Sequence, residues 1–333
     1  MVNKLINLYS MCFDDSKEYI KYFFDKKYNR ANTVIATDNN EVISELFLIN
    51  KKIVLRGVSL SCPYVVGACT HPKFRGQGIM NSLIHDSFIK LDNRGAMLTA
   101  LYPFRHSFYN KQGFMTINRM QKIIINYKKN SIIYRDANVS DAEIINKYYN
   151  NYCKNYDSYI VRNIKNTKDK INEVTAGSGT IIIAYDNQNV IGYVMYDNSE
   201  IIEIIGNYNL LFGIADLDGR ECYVENHTGE EYAMLRIINA EKLLAKIKYP
   251  ININMSINLG ITDDFYTNNS NFLNLKINNG NAIVKSSDDC DLMLTIEELT
   301  LLIAGAYDRE GYMPPDILRE IFPPTKLLIY DKY

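Results

Sequence analysis

Three common features are missing from this sequence of 333 residues: tryptophan, an excess of one charge, and a long apolar run. The absence of tryptophan, in a chain rich in Ile, Asn, Lys and Tyr, excludes no function. The near balance of 37 basic and 38 acidic side chains gives no electrostatic reason to expect nucleic acid or a membrane surface as a partner. No stretch of uncharged apolar residues is long enough for a membrane span or a signal peptide, so we expect a cytoplasmic protein.

Paired cysteines are also missing. The six cysteines are scattered without a C-x-x-C pair, which argues against a zinc site and against a disulfide framework. His71, His85 and His106 have no carboxylate or cysteine at the spacing of metal ligands. We therefore expect reduced thiols, histidines that pack or face solvent, and no metal ion.

The length of the chain and a repeated text indicate several folding units. A chain of 333 residues is long enough for two or three cores of ordinary size. Helical spacing predicts a helix over 5–24, and two apolar runs around an Asp-Asn-Asn turn predict a hairpin over 34–48. The text of residues 35–44 recurs without a gap at 183–192, which indicates an internal repeat. The alternative is that two hairpins share the same turn chemistry by chance.

A different pattern begins near Met234. Apolar residues at helical spacing predict a helix over 235–247, which Pro250 ends. Short segments predict strands over 251–259, 272–277 and 282–286, and two further helices are predicted over 295–306 and 314–322. The last third of the chain is therefore predicted to be an α+β unit without a glycine-rich loop of its own.

A strand, a glycine-bearing loop and a helix follow one another over 65–89. The free N–H groups and the dipole at a helix start form an anion site. Gly76 and Gly78 remove the side chains that would block a pyrophosphate, and Arg75 adds a positive charge. The loop fits neither the P-loop nor a dinucleotide fingerprint. The alternative is an ordinary strand-turn-helix junction with glycines for turn geometry.

The residues that follow carry a family resemblance. An apolar strand over 96–101 precedes a short helical segment that ends at Gly113. Here the sequence resembles the GNAT acetyltransferase superfamily, through Arg75-Gly-Gln-Gly78-Ile-Met80 and Tyr109-Asn-Lys-Gln-Gly-Phe114. Most of the superfamily has Gly or Ala where Met80 stands. A bulky residue there is similar to the enhanced intracellular survival (Eis) family, whose loop is R-x-x-G-L-L.

The resemblance implies the architecture of the whole chain. It implies an α/β (α+β) fold in which two tandem GNAT folds precede a C-terminal sterol-carrier-like α+β domain. The expected domains are a catalytic GNAT domain at 1–127, a degenerate second GNAT domain at 128–232 and the sterol-carrier-like domain at 233–333. Nothing after Ile191 resembles R-x-x-G, so the second copy is not expected to bind coenzyme A. Family members commonly form hexamers, which implies a homo-oligomer.

The resemblance also implies the residues of an acetyl-CoA site. The expected cosubstrate contacts are Ala68, Cys69 and Thr70 for the pantetheine amides, Arg75, Gly76, Gln77, Gly78, Ile79, Met80 and Asn81 for the pyrophosphate, and Phe104 and Arg105 for further contacts. Tyr109 is the expected acid, because a phenol with a pKa of about 10 stays protonated at neutral pH. In the Eis family the base is the carboxylate of the last residue, here Tyr333, which is weak unless burial raises its pKa or a water relays the proton.

The family implies a small cationic amine as the acceptor, either aminoglycoside-like or polyamine-like. Such cations need an acidic pocket, and Asp14 and Asp15 are candidates to line it, although carboxylates on a helix commonly form only a solvated face. Two other functions stay open. One is acetylation of protein lysines or N-termini. The other is a non-catalytic carrier that binds coenzyme A or a lipid, which the apolar content permits.

Overall fold

The computed structural model describes residues 1–198, 200–225 and 229–329, without the side chain of Glu225. The described helices are α1 (Val2–Cys12), α2 (Lys17–Tyr22), α3 (Ile79–Asp92), α4 (His106–Asn110), α5 (Ala142–Cys153), α6 (Ile164–Ala176), α7 (Ala240–Lys246), α8 (Ile296–Ala304) and α9 (Asp316–Ile321). Within these residues, no helix is long and apolar enough to cross a membrane.

The strands are numbered in the same way. They are β1 (Thr33–Asp38), β2 (Glu41–Ile49), β3 (Lys52–Leu55), β4 (Val58–Ser61), β5 (Tyr64–Thr70), β6 (Leu98–Leu101), β7 (Met115–Thr116), β8 (Arg119–Ile124), β9 (Ile133–Asp136), β10 (Ser158–Ile160), β11 (Thr180–Asp186), β12 (Asn189–Tyr196), β13 (Ile201–Gly206), β14 (Glu221–Glu225), β15 (Glu230–Glu231), β16 (Met234–Ile237), β17 (Met255–Thr262), β18 (Asn271–Asn278), β19 (Asn281–Ser286), β20 (Leu292–Thr295) and β21 (Leu327–Leu328). The mixture of helix and strand confirms the predicted α/β class.

A six-stranded sheet with the order β1-β2-β5-β6-β16-β7 forms the centre of the first unit. Strand β2 is buried on both faces from Val42 to Ile49, because helices cover both sides of the sheet. Leu5 and Leu8 of α1 pack on one face, and Leu83 of α3 packs on the other. These two helices fix the sheet edge at which β5 ends.

The first predicted helix, over 5–24, is wrong in its length. The structure has two helices, α1 and α2, separated by residues 13–16. Ser16 caps α2 by accepting a hydrogen bond from the backbone N–H of Tyr19 at 3.1 Å. Asp15 accepts a hydrogen bond from the Tyr9 hydroxyl at 2.9 Å. These two local bonds compete with a continuous helix, which periodicity alone does not reveal.

The predicted hairpin and its repeat are confirmed. Strands β1 and β2 pair around Asn39 and Asn40, which both have positive φ, and β11 and β12 pair around Asn187, with φ of 54°. Both hairpins carry an irregularity at the same place, immediately after the pairs Ala36–Ser44 and Ala184–Gly192. The two hairpins thus share their register and their bulge as well as their turn residues, which indicates a structural repeat.

The helix predicted over 235–247 begins late. Its first residues form β16, which is buried throughout and lies between β6 and β7 in the first sheet. Asn239 then caps α7, accepting from the N–H of Lys242 at 3.0 Å. The apolar run fits a buried strand as well as a helix, so its spacing could not decide between them. The domain division at residue 233 stays a prediction, and the strand that follows it completes the first sheet.

The last region contains a mixed sheet with the strand order β19-β18-β17-β20, which packs on α7 and α8. Helix α8 begins at the predicted capping box, in which Thr295 and Glu298 bond each other's backbone N–H groups. The predicted strand at 251–259 starts four residues late, because Ile253 N–H bonds back to the carbonyl of Pro250 in a turn. A further sheet, β21-β10-β3-β4, joins all three regions.

Candidate active site

A bulge in β5 shapes the site. Glu45 faces Cys69 and Phe47 faces Val66, so Gly67 and Ala68 together stand opposite a single residue of β2. Gly67 has φ of +58°, and a Cβ at this position would lie 2.9 Å from the Phe47 ring. The sequence interpretation missed this bulge, although an isolated glycine within an apolar strand is its usual signal.

Strands β5 and β6 pair in parallel at Tyr64 and Ala100. Beyond that pair, residues of β5 and residues 102–104 line cavities on the two sides of Ala68. We call them the loop cavity, which contains the glycine-bearing loop, and the glutamate cavity, which contains Glu200, Glu230 and Glu231. The bulged residue Ala68 therefore lines both cavities.

The loop cavity has a volume of about 550 Å³. It contains every predicted cosubstrate residue except Gln77 and Arg105, namely Ala68, Cys69, Thr70, Arg75, Gly76, Gly78, Ile79, Met80, Asn81 and Phe104. Gln77 and Arg105 are exposed beside it, with Gln77 Nε2 lying 3.5 Å from the Lys73 carbonyl and Arg105 at the start of α4.

The start of α3 provides an anion site within the loop cavity. Gly78 is the N-cap residue with φ of 76°, and no side chain caps this end of the helix. The first-turn N–H groups are thus left for a ligand, and the helix dipole adds positive potential. Arg75 is held to the strand, since its Nε donates to the Thr70 carbonyl at 3.0 Å. A Cβ at Gly76 or Gly78 would meet no atom within 4 Å, so a large group can approach their backbone.

The glutamate cavity has a volume of about 510 Å³ and is acidic. Among the described residues, its wall contains three glutamates and one histidine but neither lysine nor arginine. Glu200, Glu230 and Glu231 all lie within residues 128–232, the predicted second GNAT fold, which we call the repeat unit. Arg119 Nη2 lies 4.0 Å from Glu231 Oε1 but makes its short bonds to Glu310, so carboxylates remain in excess beside this cavity and favour cationic ligands.

Tyr109 lies where the two cavities meet. Both walls include it, together with Phe13, Ala68 and Phe104. Tyr109 is only 4% exposed, and its ring contacts Phe104, Phe108 and Phe114. Burial raises the pKa of Tyr109 to about 12, so the phenol keeps its proton at neutral pH.

His106 belongs to the glutamate cavity and was missed by the sequence interpretation, which expected a surface or packing histidine. Its Nε2 lies 3.0 Å from the Tyr232 carbonyl, and its Nδ1 lies 3.9 Å from a Glu231 carboxylate oxygen. A carbonyl only accepts hydrogen bonds, so Nε2 carries the proton in this bond. Thr116 also donates to Glu231, at 3.1 Å. No local sequence signal pairs residues this far apart along the chain.

The aspartates of the first region lie in an adjoining cavity of about 280 Å³, which we call the aspartate cavity. Asp14 and Asp15 line it with Glu173, Asp197 and Glu200, and Glu200 also lines the glutamate cavity. Burial raises the pKa of Asp15 above its ordinary value. The two aspartates are thus placed beside the acidic region and away from the loop cavity.

The end of the described chain approaches the glutamate cavity. The carbonyl of Ile329 accepts hydrogen bonds from the Tyr102 hydroxyl at 2.9 Å and from Asn118 Nδ2 at 3.3 Å. Tyr102 lines the glutamate cavity. Tyr333, the expected base, lies outside the described residues.

The repeat unit lacks the loop and helix that build the loop cavity. After β13, the chain enters a 3-10 helix at Tyr208–Gly213, where the first unit has its glycine loop and α3. Across the described residues, no group of three or more His, Cys, Asp or Glu could hold a metal ion.

Two family models match the chain. The model of the acetyltransferase (GNAT) domain matches residues 1–117, and the model of the sterol carrier protein domain matches residues 240–310. Comparison with curated protein sequences gives no match.

Several solved structures share the fold of the whole chain. A conserved Enterococcus faecalis protein of unknown function, a probable N-acyltransferase, is 16% identical with a TM-score of 0.82, over 100% of this chain and 97% of that one. A GCN5-related N-acetyltransferase from Anabaena variabilis is 16% identical with a TM-score of 0.77, over 100% and 97%. Eis1 from Mycobacterium abscessus is 12% identical with a TM-score of 0.69, over 95% and 97%.

Proposed function

We propose that this chain, an acyltransferase in which a GNAT acetyltransferase domain precedes a sterol carrier protein domain in the Eis-like arrangement, transfers acetyl from acetyl-CoA to a small polycationic amine. The observation that carries the proposal is the position of Tyr109 between the loop cavity and the glutamate cavity. One cavity suits an anionic cosubstrate and the other suits a cation.

The residues of the loop cavity fit coenzyme A. Its pyrophosphate requires N–H donors and a positive potential, which the uncapped start of α3 and Arg75 provide. Its pantetheine amides require unpaired strand groups, and the bulged end of β5 beside Ala68 supports that role. The GNAT fold family uses acetyl-CoA, which supplies an activated acetyl thioester when bound.

Tyr109 is the proposed acid. Acetyl transfer forms a bond from the amine nitrogen to the acetyl carbon and breaks the carbon–sulfur bond, so the departing thiolate needs a proton. A buried phenol that holds its proton can donate it to a thiolate at the junction of the cavities. The burial that raises the pKa of Tyr109 keeps it in the donor form across the physiological range.

The carboxylate of Tyr333 is the proposed base, which takes the proton from the attacking amine directly or through a water. The described chain supports this role up to Ile329, which Tyr102 of the glutamate cavity wall holds through its carbonyl. Four further residues span at most about 14 Å when extended. That length is enough to reach the glutamate cavity, because Tyr102, which bonds the Ile329 carbonyl, lines its wall.

The acceptor class follows from the charges of the glutamate cavity. Three carboxylates, in a wall whose described residues include neither lysine nor arginine, favour an amine with several cationic groups, aminoglycoside-like or polyamine-like. Acetylation of protein lysines or N-termini is the alternative for the same chemistry. The carrier alternative gives no role to a buried tyrosine between two cavities.

The test is a thiol-release assay with acetyl-CoA and a panel of aminoglycosides, linear polyamines, monoamines and lysine peptides, with products identified by mass spectrometry. We expect mono- or polyacetylated polycations and little product from monoamines. Acetylated peptides in place of small amines would favour the protein-directed alternative. Absence of turnover across the panel, with lipid found in the purified protein, would favour the carrier.

We further propose that the enzyme works in the cytoplasm as a homo-oligomer, a hexamer as in Eis relatives. Six free cysteines support a reducing compartment. Light scattering of the full chain measures the subunit number directly.

A further inference from the structure

Gln112 is buried between the two helices that build the junction of the cavities. It follows α4, which carries Tyr109, and only 1% of the residue is exposed. Its Nε2 donates to Oδ1 of Asn81 at 2.8 Å. Asn81 lies in the first turn of α3 and lines the loop cavity. One side chain thus connects the helix of the proposed acid to the proposed pyrophosphate site.

This hydrogen bond determines which part of the Asn81 amide a ligand meets. An amide carries its oxygen and its NH2 group on opposite sides. Because Gln112 holds the oxygen, the NH2 group of Asn81 is the side that remains for a ligand of the loop cavity. Asn81 is therefore presented as a hydrogen-bond donor, beside the N–H donors of the helix start.

The backbone of Gln112 is fixed from two further directions. Its N–H donates to the Tyr109 carbonyl at 3.0 Å, and its carbonyl accepts from Arg236 Nε at 2.7 Å. Arg236 is fully buried and pairs with Asp263 at 2.6 Å. The backbone of Gln112 is consequently held by a buried ion pair between β16 of the first sheet and the last region of the chain.

Stability does not account for an amide at this position. Gln112 Oε1 is buried and has no hydrogen-bond partner within the described residues. A buried unpaired oxygen is destabilising, whereas an apolar side chain of similar shape, such as methionine, carries no such penalty. What glutamine adds over methionine here is the donor to Asn81.

We propose that Gln112 is a positioning residue for the cosubstrate: it orients Asn81 so that the NH2 group donates to a phosphate oxygen of coenzyme A at the start of α3. The inference rests on the proposed function, since it requires coenzyme A to occupy the loop cavity. It adds Gln112 as the group that orients Asn81, and it assigns the Asn81 side chain, already an expected pyrophosphate contact, the role of hydrogen-bond donor.

Calorimetric titration of the full chain with coenzyme A tests the proposal through three variants. Gln112→Met and Asn81→Ala should each weaken binding about five- to tenfold, the value of one ordinary hydrogen bond. The double variant should bind no more weakly than Asn81→Ala, because Gln112 acts through Asn81. Gln188→Met, in the exposed turn of the second hairpin, is the matched control and should bind as wild type.

Steady-state kinetics separate positioning from general damage. Gln112→Met should raise KM for acetyl-CoA by the same five- to tenfold and leave kcat within about twofold, because the backbone bond from residue 112 to Tyr109 persists. Asn81→Asp should weaken coenzyme A binding more than Asn81→Ala, since a carboxylate still accepts from Gln112 but repels phosphate. This exposed substitution does not depend on core packing and provides the test even if Gln112→Met fails to fold.

Two results would overturn the proposal while leaving the proposed function intact. One is wild-type affinity in Gln112→Met or in Asn81→Asp. The other is a double variant whose loss equals the product of the two single losses, which would mean that the residues act independently. If the wild-type chain itself bound no coenzyme A, the proposed function would fail first, and this inference with it.

Discussion

At the scale of single residues, the proposed role of Tyr109 depends on its hydroxyl and not on the packing of its ring. Tyr109→Phe keeps the ring contacts with Phe104 and Phe114 and removes only the proton donor. We expect kcat to fall about 100-fold or more, within the range of general acid catalysis, with unchanged affinity for coenzyme A. Rapid-mixing kinetics and calorimetry measure the two quantities. A kcat within threefold of wild type would remove Tyr109 from the mechanism.

At Gly67 the backbone conformation and the surrounding side chains both oppose a side chain. Gly67→Ala strains a backbone with φ of +58° and places a Cβ 2.9 Å from Phe47 and 3.0 Å from Tyr9. Gly95→Ala is the matched control, because Gly95 has φ of +75° and open space around it. We expect Gly95→Ala to cost about 1 kcal/mol of unfolding free energy and Gly67→Ala to cost about 2 kcal/mol or more.

Chemical denaturation measures both glycine variants. Gly67→Ala should in addition lose coenzyme A affinity, since the bulge places Ala68 between the cavities, whereas Gly95→Ala should keep it. Equal destabilisation of the two variants would show that the contact with Phe47 relaxes without cost.

Glu45 makes the stability of the first sheet depend on pH. Its carboxylate is fully buried, and Oε2 has no hydrogen-bond partner within the described residues. Burial raises the pKa of Glu45 from 4.5 to about 8, while a contact from the Cys69 thiol lowers it slightly. Between these two pKa values the folded chain holds a proton that the unfolded chain has lost. Stability contributed by neutral Glu45 is therefore full below pH 4.5 and is lost as pH rises towards 8.

The expected slope is at most about 1.4 kcal/mol of unfolding free energy per pH unit. Glu45→Gln should flatten the decline between about pH 5 and 8 and should be the more stable protein at pH 9. Denaturant unfolding at several pH values measures the effect, with Glu41→Gln at the exposed start of the same strand as control. Parallel pH profiles for wild type and Glu45→Gln would contradict the raised pKa.

At the scale of elements, the loop and α3 show how much local sequence can predict. Glycines, an arginine and a helix start are enough to predict the anion site, because that site is built from the backbone of consecutive residues. The capping box of α8 and the repeated hairpin are predictable for the same reason. Such features depend on neighbours in the chain, and the structure contains the capping box and both hairpins, whereas the anion site stays a prediction.

Elements that depend on distant partners could not be predicted in this way. Strand β16 has helical spacing in its sequence but lies between β6 and β7, where a buried strand completes a sheet. His106 and the three glutamates form one cavity only after the chain folds, since they come from separate segments. The missing information in each case is a tertiary contact.

The proposed base is the carboxylate of Tyr333, and the following prediction concerns the chain terminus alone. Removing Tyr333, or adding a C-terminal tag, should reduce turnover by about tenfold or more and leave coenzyme A binding intact, because β21 and Ile329 keep their contacts. An N-terminal tag of equal length is the control. Unchanged turnover in both C-terminal variants would show that the carboxylate does not act as the base.

At the scale of the whole molecule, the proposed site is built from parts of the whole chain. The glycine loop and Tyr109 belong to the first unit, Glu200 to the repeat unit, and the support of Gln112 to the pair of Arg236 with Asp263. A repeat unit without a loop cavity of its own thus still has a function, because it supplies part of an acidic wall.

The acidic wall leads to a prediction about acceptor charge. Glu200→Gln combined with Glu231→Gln removes two carboxylates that come from outside the first unit and leaves the loop cavity and Tyr109 unchanged. We expect KM to rise about tenfold for a polyamine with several charges and only slightly for a monoamine, with kcat nearly constant, and the difference should shrink at high salt as charges are screened. Glu143→Gln, on the exposed face of α5 in the repeat unit, is the control for a lost charge elsewhere. An equal rise in KM for both amines would mean that the glutamates shape the cavity without selecting charge, and the polycation proposal would then lose its support.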